Sequence, residues 1–366
     1  MSRFYFDNLA GIRGVAAVIV LFSHIVQVHF LRFIGLNTPL HQISSITSEY
    51  AVVVFFILSG YLITHTLETN IERNGLLRLD FYVVARISRL YPPFLYSIGV
   101  SLLVFLVMEF FGLPGRASPM RLLTDHYAAR DIVHLSWGDF LRSLVMLQGM
   151  LEINGPLWSL YMEAKLYVLF ASALALVSGG RSIVFSVVLA FVFFYVAKAG
   201  IVMNPGFAGY AGMWLIGAFA YYVWNERAGR RNRVMMCLAL LITAELWHVL
   251  IGETSLKIMT RDMLIAVFIS WMLFKVRVQI PAPQRLADCS YSLYATHFPV
   301  LLLAQSLLIS AGSVSIGEAI GVAILSTAAA AGVALIGGAI EAKKSALQNG
   351  LFAILERLSR LSVKPS

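Results

Sequence analysis

Residues 9–30 read LAGIRGVAAVIVLFSHIVQVHF, an apolar run that carries Arg13 near its start and His24 past its middle. At about 1.5 Å per residue a helix of this length covers the roughly 30 Å hydrocarbon layer of a bilayer. The run is longer than a signal-peptide core and lacks a clear small-residue cleavage site, so it is read as an uncleaved first span. Further apolar runs fall near 49–67, 88–112, 158–178, 181–198, 206–225, 233–250, 259–275, 287–310 and 316–340. Composition agrees, because 59% of the 366 residues are hydrophobic, only 13% are charged and the mean hydropathy is +0.79. A soluble domain carries roughly a quarter charged residues. Backbone polar groups in lipid must bond within their own segment. The expected fold is therefore all-α, a polytopic membrane bundle of about ten transmembrane helices.

A weaker stretch, Trp137–Met150, contains Asp139 and Arg142 and is shorter than the roughly 20 residues a crossing needs. Read as a partial or interfacial helix, it leaves Arg73, Arg78, Arg86, Arg89, Arg181, Arg227, Arg230, Arg231, Arg233, Lys275, Arg277 and Arg285 on the side of the amino terminus, to which the tail adds Lys343, Lys344, Arg357, Arg360 and Lys364. That distribution obeys the positive-inside rule and makes both termini cytoplasmic. It also accounts for the net charge of +9 without a nucleic-acid partner. Residues 1–340 are taken as one transmembrane domain and 341–366 as a cytoplasmic tail. In the tail Leu347, Leu351, Ile354, Leu355, Leu358 and Leu361 recur at the spacing of an interfacial amphipathic helix.

Ionisable groups inside spans cost several kcal/mol unless they meet a partner or a cavity, so each is a functional candidate. Arg13 and His24 are eleven residues apart, which places them on nearly one helix face and separates them by about 16 Å along the axis. A neutral imidazole past the midplane can act as a general base. Glu163, on the span beginning at Trp158 and running inward, reaches a similar depth, and a carboxylate that accepts an imidazole N–H fixes its tautomer. The two form the smallest base-plus-orienter arrangement for acyl transfer. Arg86 and Arg89, i and i+3 at the cytoplasmic start of the third span, suit bidentate phosphate binding. His297, preceded by Ser290, Tyr291, Ser292 and Tyr294, falls near the midplane, as does Ser59-Gly60; both lists suit either a polar cavity or close helix packing. Asp125, His126, Asp131 and His134 match no ligand spacing, and Cys237 and Cys289 have no CxxC partner, so no metal site is expected.

Taken together, these positions resemble the acyltransferase family 3 membrane proteins. The likeness is carried by Asn8-Leu9-x-Gly11-x-Arg13-Gly14 with His24, by Phe55-Phe56-x-x-Ser59-Gly60-Tyr61-Leu62-Ile63 and by Arg86-x-x-Arg89-x-Tyr91-Pro92. It continues in Pro156-Leu157-Trp158-Ser159-Leu160-x-x-Glu163 and Ser290-Tyr291-Ser292-Leu293-Tyr294-x-x-His297-x-Pro299. The resemblance implies a multi-pass enzyme of the bacterial inner membrane. Its donor is cytoplasmic acyl-CoA, usually acetyl-CoA, with no tightly bound cofactor, and its acceptor is a sugar hydroxyl of a surface or secreted glycan or lipid-linked sugar. It also places functional weight on Arg13, His24, Arg86, Arg89, Trp158, Ser159 and Glu163. Fused relatives carry a carboxyl-terminal hydrolase-like domain, whereas the 25 residues after Glu341 are expected to form no separate domain. The rival expectation is a multi-pass transporter or flippase with His24 and Glu163 as proton or substrate sites, against which stands the lack of inverted-repeat signals.

Overall fold

The computed structural model describes residues 3–35, 38–114, 135–177, 183–203, 206–224, 253–312 and 315–362. Every regular element among these described residues is helical. Seven stretches are long and apolar enough to cross a membrane: Phe6–Ile34, Pro39–Asn74, Leu79–Phe110, Leu157–Val177, Ile183–Val202, Ser290–Ser310 and Ile316–Ile354. Three of the ten expected spans are not among them. The run 206–225 is the helix Phe207–Trp224, whose glycines, tyrosines and tryptophans dilute its apolarity. The run 259–275 falls in the helix Glu253–Ser270 and the π-helical segment Trp271–Val276 after it, a stretch that includes Glu253, Lys257, Arg261 and Asp262. The run 233–250 and the Asp125–His134 cluster lie outside the described residues.

The chain divides into two compact units. The first contains residues 1–9, 52–82 and 160–281. It includes most of α3 (Pro39–Asn74) and α6 (Leu157–Val177), with α7 (Ile183–Met203), α8 (Phe207–Trp224) and α9 (Glu253–Ser270). Here α3 and α8 cross with their backbones in contact. A Cβ on Gly60 would lie 2.0 Å from the Trp214 carbonyl oxygen, and one on Gly217 would lie 2.0 Å from that of Ile57. Small residues at such crossings let helices gain packing that lipid tails cannot supply. Asn8 clasps the chain that follows the π-helical segment, donating to the Val278 carbonyl (2.9 Å) and accepting from the Ile280 N–H (3.0 Å). On α7, Val184, Phe191 and Phe194 are 74%, 69% and 70% exposed, an apolar surface suited to hydrocarbon.

The second unit contains residues 10–51, 83–159 and 282–366. Most of α1 (Arg3–Ile25) lies in it, continued by a π-helical segment (Val26–Phe30) and the short α2 (Leu31–Ile34). With these go most of α4 (Leu79–Phe110), α5 (Trp137–Leu144), α10 (Gln284–Asp288), α11 (Ser290–Ser310), α12 (Ile316–Glu341) and α13 (Lys344–Ser362). Helix α5 has eight residues, about 12 Å, and cannot cross a bilayer by itself. Ser136 caps it by accepting the Asp139 N–H, and the same hydroxyl, with Arg142 beside it, holds the Asp139 carboxyl below the usual carboxylate range. Beyond α5 the chain turns back through Met146 (φ 54°) and Met150 (φ 52°), both buried, to the fully buried Asn154. The Asn154 amide donates to the Ser101 hydroxyl (2.9 Å) and the Ala295 carbonyl (2.8 Å), with Ser97 at 3.3 Å, and so ties the loop to α4 and α11. Helix α12 opens on a reciprocal cap between Ser315 and Glu318. The tail forms a helix, α13, as its periodicity predicts.

Gly60→Ala and Gly217→Ala should each lower stability by about 1–3 kcal/mol, because a methyl must displace backbone rather than a side chain. Thermal unfolding in detergent checks this, and an unchanged Tm in both variants contradicts the crossing.

Candidate active site

Helices α1 and α11 meet through three polar pairs. Arg13 Nε donates to Ser290 Oγ (3.1 Å), His24 Nδ1 lies 2.7 Å from His297 Nε2, and His29 Nδ1 lies 2.9 Å from Gln305 Oε1. The partners are separated in sequence by 277, 273 and 276 residues. A nearly constant separation is the mark of two parallel helices in register. The sequence places Arg13 and His24 on one face of α1, but His29, five residues on, would turn about 140° away in an ideal α-helix. The π-helical segment Val26–Phe30 changes this, since its i→i+5 bonding returns residues five apart to a common face. Both histidines therefore face α11.

The hydrogen bonds order the protons of the central pair. His297 is fully buried, and its Nδ1 lies 2.9 Å from the Leu293 carbonyl, which can only accept. Nδ1 of His297 thus carries hydrogen, and in a neutral ring Nε2 keeps the lone pair. His24 Nδ1 must then donate to it, which puts the lone pair of a neutral His24 on Nε2. The rings stack with centroids 5.0 Å apart and planes at 20°, and Phe298 packs edge-on against His24. Tyr294, one turn before His297 on α11, shares a 2.7 Å hydrogen bond with Ser159, whose hydroxyl also contacts the Pro156 carbonyl. Trp158 is half-buried beside it at the start of α6.

Toward the other end of α1 the charges collect. Ser290 anchors the Arg13 guanidinium. Glu341, at the end of α12, accepts from the backbone N–H (2.8 Å) and the hydroxyl of Ser292, with Arg13 and Lys344 in electrostatic reach of its carboxylate. Arg89 and Arg13 both act on Lys344. Two of the three arginines singled out from sequence are thus gathered near one lysine, and Arg86 is half-buried one turn before Arg89. Such a concentration of cations suits a polyanionic ligand.

Glu163 belongs to the first unit and ends a hydrogen-bond chain there. The Trp214 indole N–H donates to Ser59 Oγ (3.1 Å), Ser59 donates to the Tyr167 hydroxyl (3.2 Å), and Tyr167 donates to the Glu163 carboxylate. Because indole only donates and carboxylate only accepts, every proton in this chain has one direction. Ser59 is thus a link between helices as well as the neighbour of a packing glycine. Sequence reasoning missed Tyr167, Trp214, Asn154 and Glu341. Tyr167 had a signal, being i+4 from Glu163 on one helix face; Asn154 and Trp214 had none, since their partners come from distant segments. Among the described residues no group of three or more His, Cys, Asp or Glu side chains is placed to hold a metal ion.

A family model described as the acyltransferase domain matches residues 6–337. The chain is 29% identical over 168 residues to protein 2 in the picA locus of Rhizobium radiobacter, a match covering 45% of this chain and 81% of that one. It is 28% identical over 178 residues to the peptidoglycan O-acetyltransferase OatA of Listeria monocytogenes, covering 47% of this chain and 25% of that one. It is also 30% identical over 131 residues to an uncharacterized protein of Haemophilus influenzae, covering 34% of this chain and 48% of that one. No solved structure matches.

The proton order of the histidine pair is open to direct measurement. In ¹⁵N-histidine spectra at neutral pH, His24 and His297, each assigned through its loss in an alanine variant, should both show the Nδ1–H tautomer. An Nε2–H tautomer at His24 contradicts the order derived above.

Proposed function

Because the chain belongs to the acyltransferase domain family, we propose that it is a membrane O-acyltransferase that moves an acyl group, acetyl in the simplest case, from cytoplasmic acyl-CoA to a sugar hydroxyl of a surface or secreted glycan. The bilayer it occupies is the bacterial inner membrane, with both termini cytoplasmic. The observation that carries the reading is the contact of His24 with His297, on a helix whose other end holds Arg13 among the basic residues. Similarity to the Listeria peptidoglycan O-acetyltransferase supports an O-linked acetyl product and a glycan acceptor.

Arg13, Arg86 and Arg89, with Lys344 beside them, hold the phosphates of CoA. The pantetheine arm then runs along α1, where about 16 Å of helix separates Arg13 from His24. Nε2 of His24 removes the proton of the acceptor hydroxyl as its oxygen attacks the thioester carbonyl carbon. The C–O bond forms, the C–S bond breaks, and the proton passes to the thiolate to release free CoA. His297 accepts the Nδ1–H of His24 throughout, so the base keeps its tautomer and orientation. His297 is a positioning residue; it orients the base without adding a negative charge. Glu163, to which the family resemblance gives functional weight, is held by Tyr167, and no bond change above is routed through it.

His24→Ala should abolish transfer while the protein stays folded and binds acyl-CoA, since the phosphates are held elsewhere. Glu163→Gln should be severely impaired but milder than His24→Ala. Arg86→Ala and Arg89→Ala should each weaken acyl-CoA binding by about 1.5–3 kcal/mol, roughly 10- to 150-fold. Labelled acyl-CoA in nanodiscs reads all four, and a fully active His24→Ala removes the base. Reporters fused after Asn232 and after Gly312 should read cytoplasmic and extracytoplasmic; the reverse pattern overturns the orientation. Acceptor-dependent release of CoA separates this enzyme from a transporter.

A further inference from the structure

The last turn of α12 and the first turn of α11 meet beside the basic end of α1. A Cβ on Gly337 would lie 2.6 Å from Ser292 Cβ and one on Gly338 2.9 Å from Cys289 Cβ, so glycine lets the two helices come this close. The Tyr96 hydroxyl of α4 donates to the Val333 carbonyl (2.9 Å) and ties down the same end of α12. Glu341, one turn beyond Gly337 on the same helix face, then reaches the first turn of α11, where it accepts the Ser292 N–H (2.8 Å) and hydroxyl. Its carboxylate is buried, with 9% of the residue exposed. For capping alone a neutral oxygen would do, since an amide or a hydroxyl accepts the same N–H. The carboxylate adds a negative charge, placed where water screens it little, with Arg13 and Lys344 in electrostatic reach. Asp288 also acts on Lys344, but from an exposed position at which Gln284 Nε2 donates to it (2.9 Å).

This charge opposes the task of its neighbours. Arg13, Arg89 and Lys344 attract the phosphates of CoA, and a fixed anion among them cancels part of that attraction and repels the phosphates as well. Product CoA carries the same phosphates as acyl-CoA. Cations without a balance would hold both equally firmly, which gains nothing once donor is saturating and slows the departure of product. We propose that Glu341 is an internal counter-anion of the donor site, fixed on the first turn of α11, that loosens the grip of the basic end on CoA. It acts through Arg13 and Lys344. The proposal rests on the reading of that end as the CoA-phosphate site. The helix that Glu341 caps is also the one that carries His297, so the same carboxylate braces the partner of the base.

Equilibrium binding to the full chain in nanodiscs tests this. Glu341→Gln keeps an oxygen for both Ser292 hydrogen bonds and removes only the charge. The Kd for acetyl-CoA and that for free CoA should each fall about fivefold, a gain of about 1 kcal/mol. In turnover the KM for acetyl-CoA should fall with kcat unchanged or lower, whereas loss of a merely structural residue would raise KM. The gain should shrink as salt is raised, and S-acetyl-pantetheine, which has no phosphates, should bind wild type and variant equally. Ser292→Ala keeps the backbone bond and turns more of the carboxylate's charge toward the cations, so the Kd for acetyl-CoA should rise about threefold. That variant, opposite in sign, decides the matter if Glu341→Gln fails to fold. An unchanged or raised Kd in folded Glu341→Gln, an equal gain for S-acetyl-pantetheine, or wild-type or tighter binding in Ser292→Ala overturns the proposal. An Arg89→Ala control separates the two claims: if its Kd is unchanged, the phosphate reading has failed, and if it binds acetyl-CoA more weakly while Glu341→Gln binds no more tightly, only the counter-anion has failed.

Discussion

Everything in the candidate site depends on the parallel pairing of α1 with α11. In lipid an unpaired polar side chain has no water to turn to, so Arg13, His24 and His29 on one helix find Ser290, His297 and Gln305 on the other. Once these pairs form, the register of the two helices is set, and so is the height of each functional group along them. The π-helical segment keeps the third pair on the same face as the first two. Asn154 then fastens the loop after α5 to the Ala295 carbonyl, two residues before His297, which braces the helix that orients the base.

The candidate site was legible in the sequence as a set of heights and not as a set of partners. Counting residues along apolar runs gives the depth of His24, Glu163 and His297, because rise per residue is fixed. It says nothing of lateral position, which depends on how helices pack. Depth alone therefore admits either Glu163 or His297 as the partner of His24. The structure places His24 against His297 and places Glu163 at the end of the Trp214–Ser59–Tyr167 chain. The basic end was easier to read, since Arg13 and Arg89 are charges that positive-inside reasoning already sends to one side. Glu341 escaped notice because it sits where a span gives way to the tail, and Lys344 reads from the sequence only as one of the tail's cytoplasmic charges.

The fold was legible to the extent that apolarity reports it. Seven of the expected spans rest on runs of Leu, Ile, Val and Phe that lipid would accept in any context. The helix Phe207–Trp224 is harder to read because its function in the unit is packing, and packing selects the glycines and aromatics that lower its apolarity. The short α5 could be read correctly from Asp139, Arg142 and its length. The turn after it, with Met146 and Met150 in left-handed backbone, could not, since no glycine marks either position.

The central claim is that His24 and His297 act as one unit, a base and the residue that fixes its tautomer. The most direct test is a double-mutant cycle on the acyl-transfer rate with His24→Ala, His297→Ala and both together, each checked for expression, Tm and acyl-CoA affinity. The account predicts that the double variant is no slower than His24→Ala alone, because His297 has nothing to orient once the base is gone. Independent, multiplicative losses from the two substitutions would contradict it.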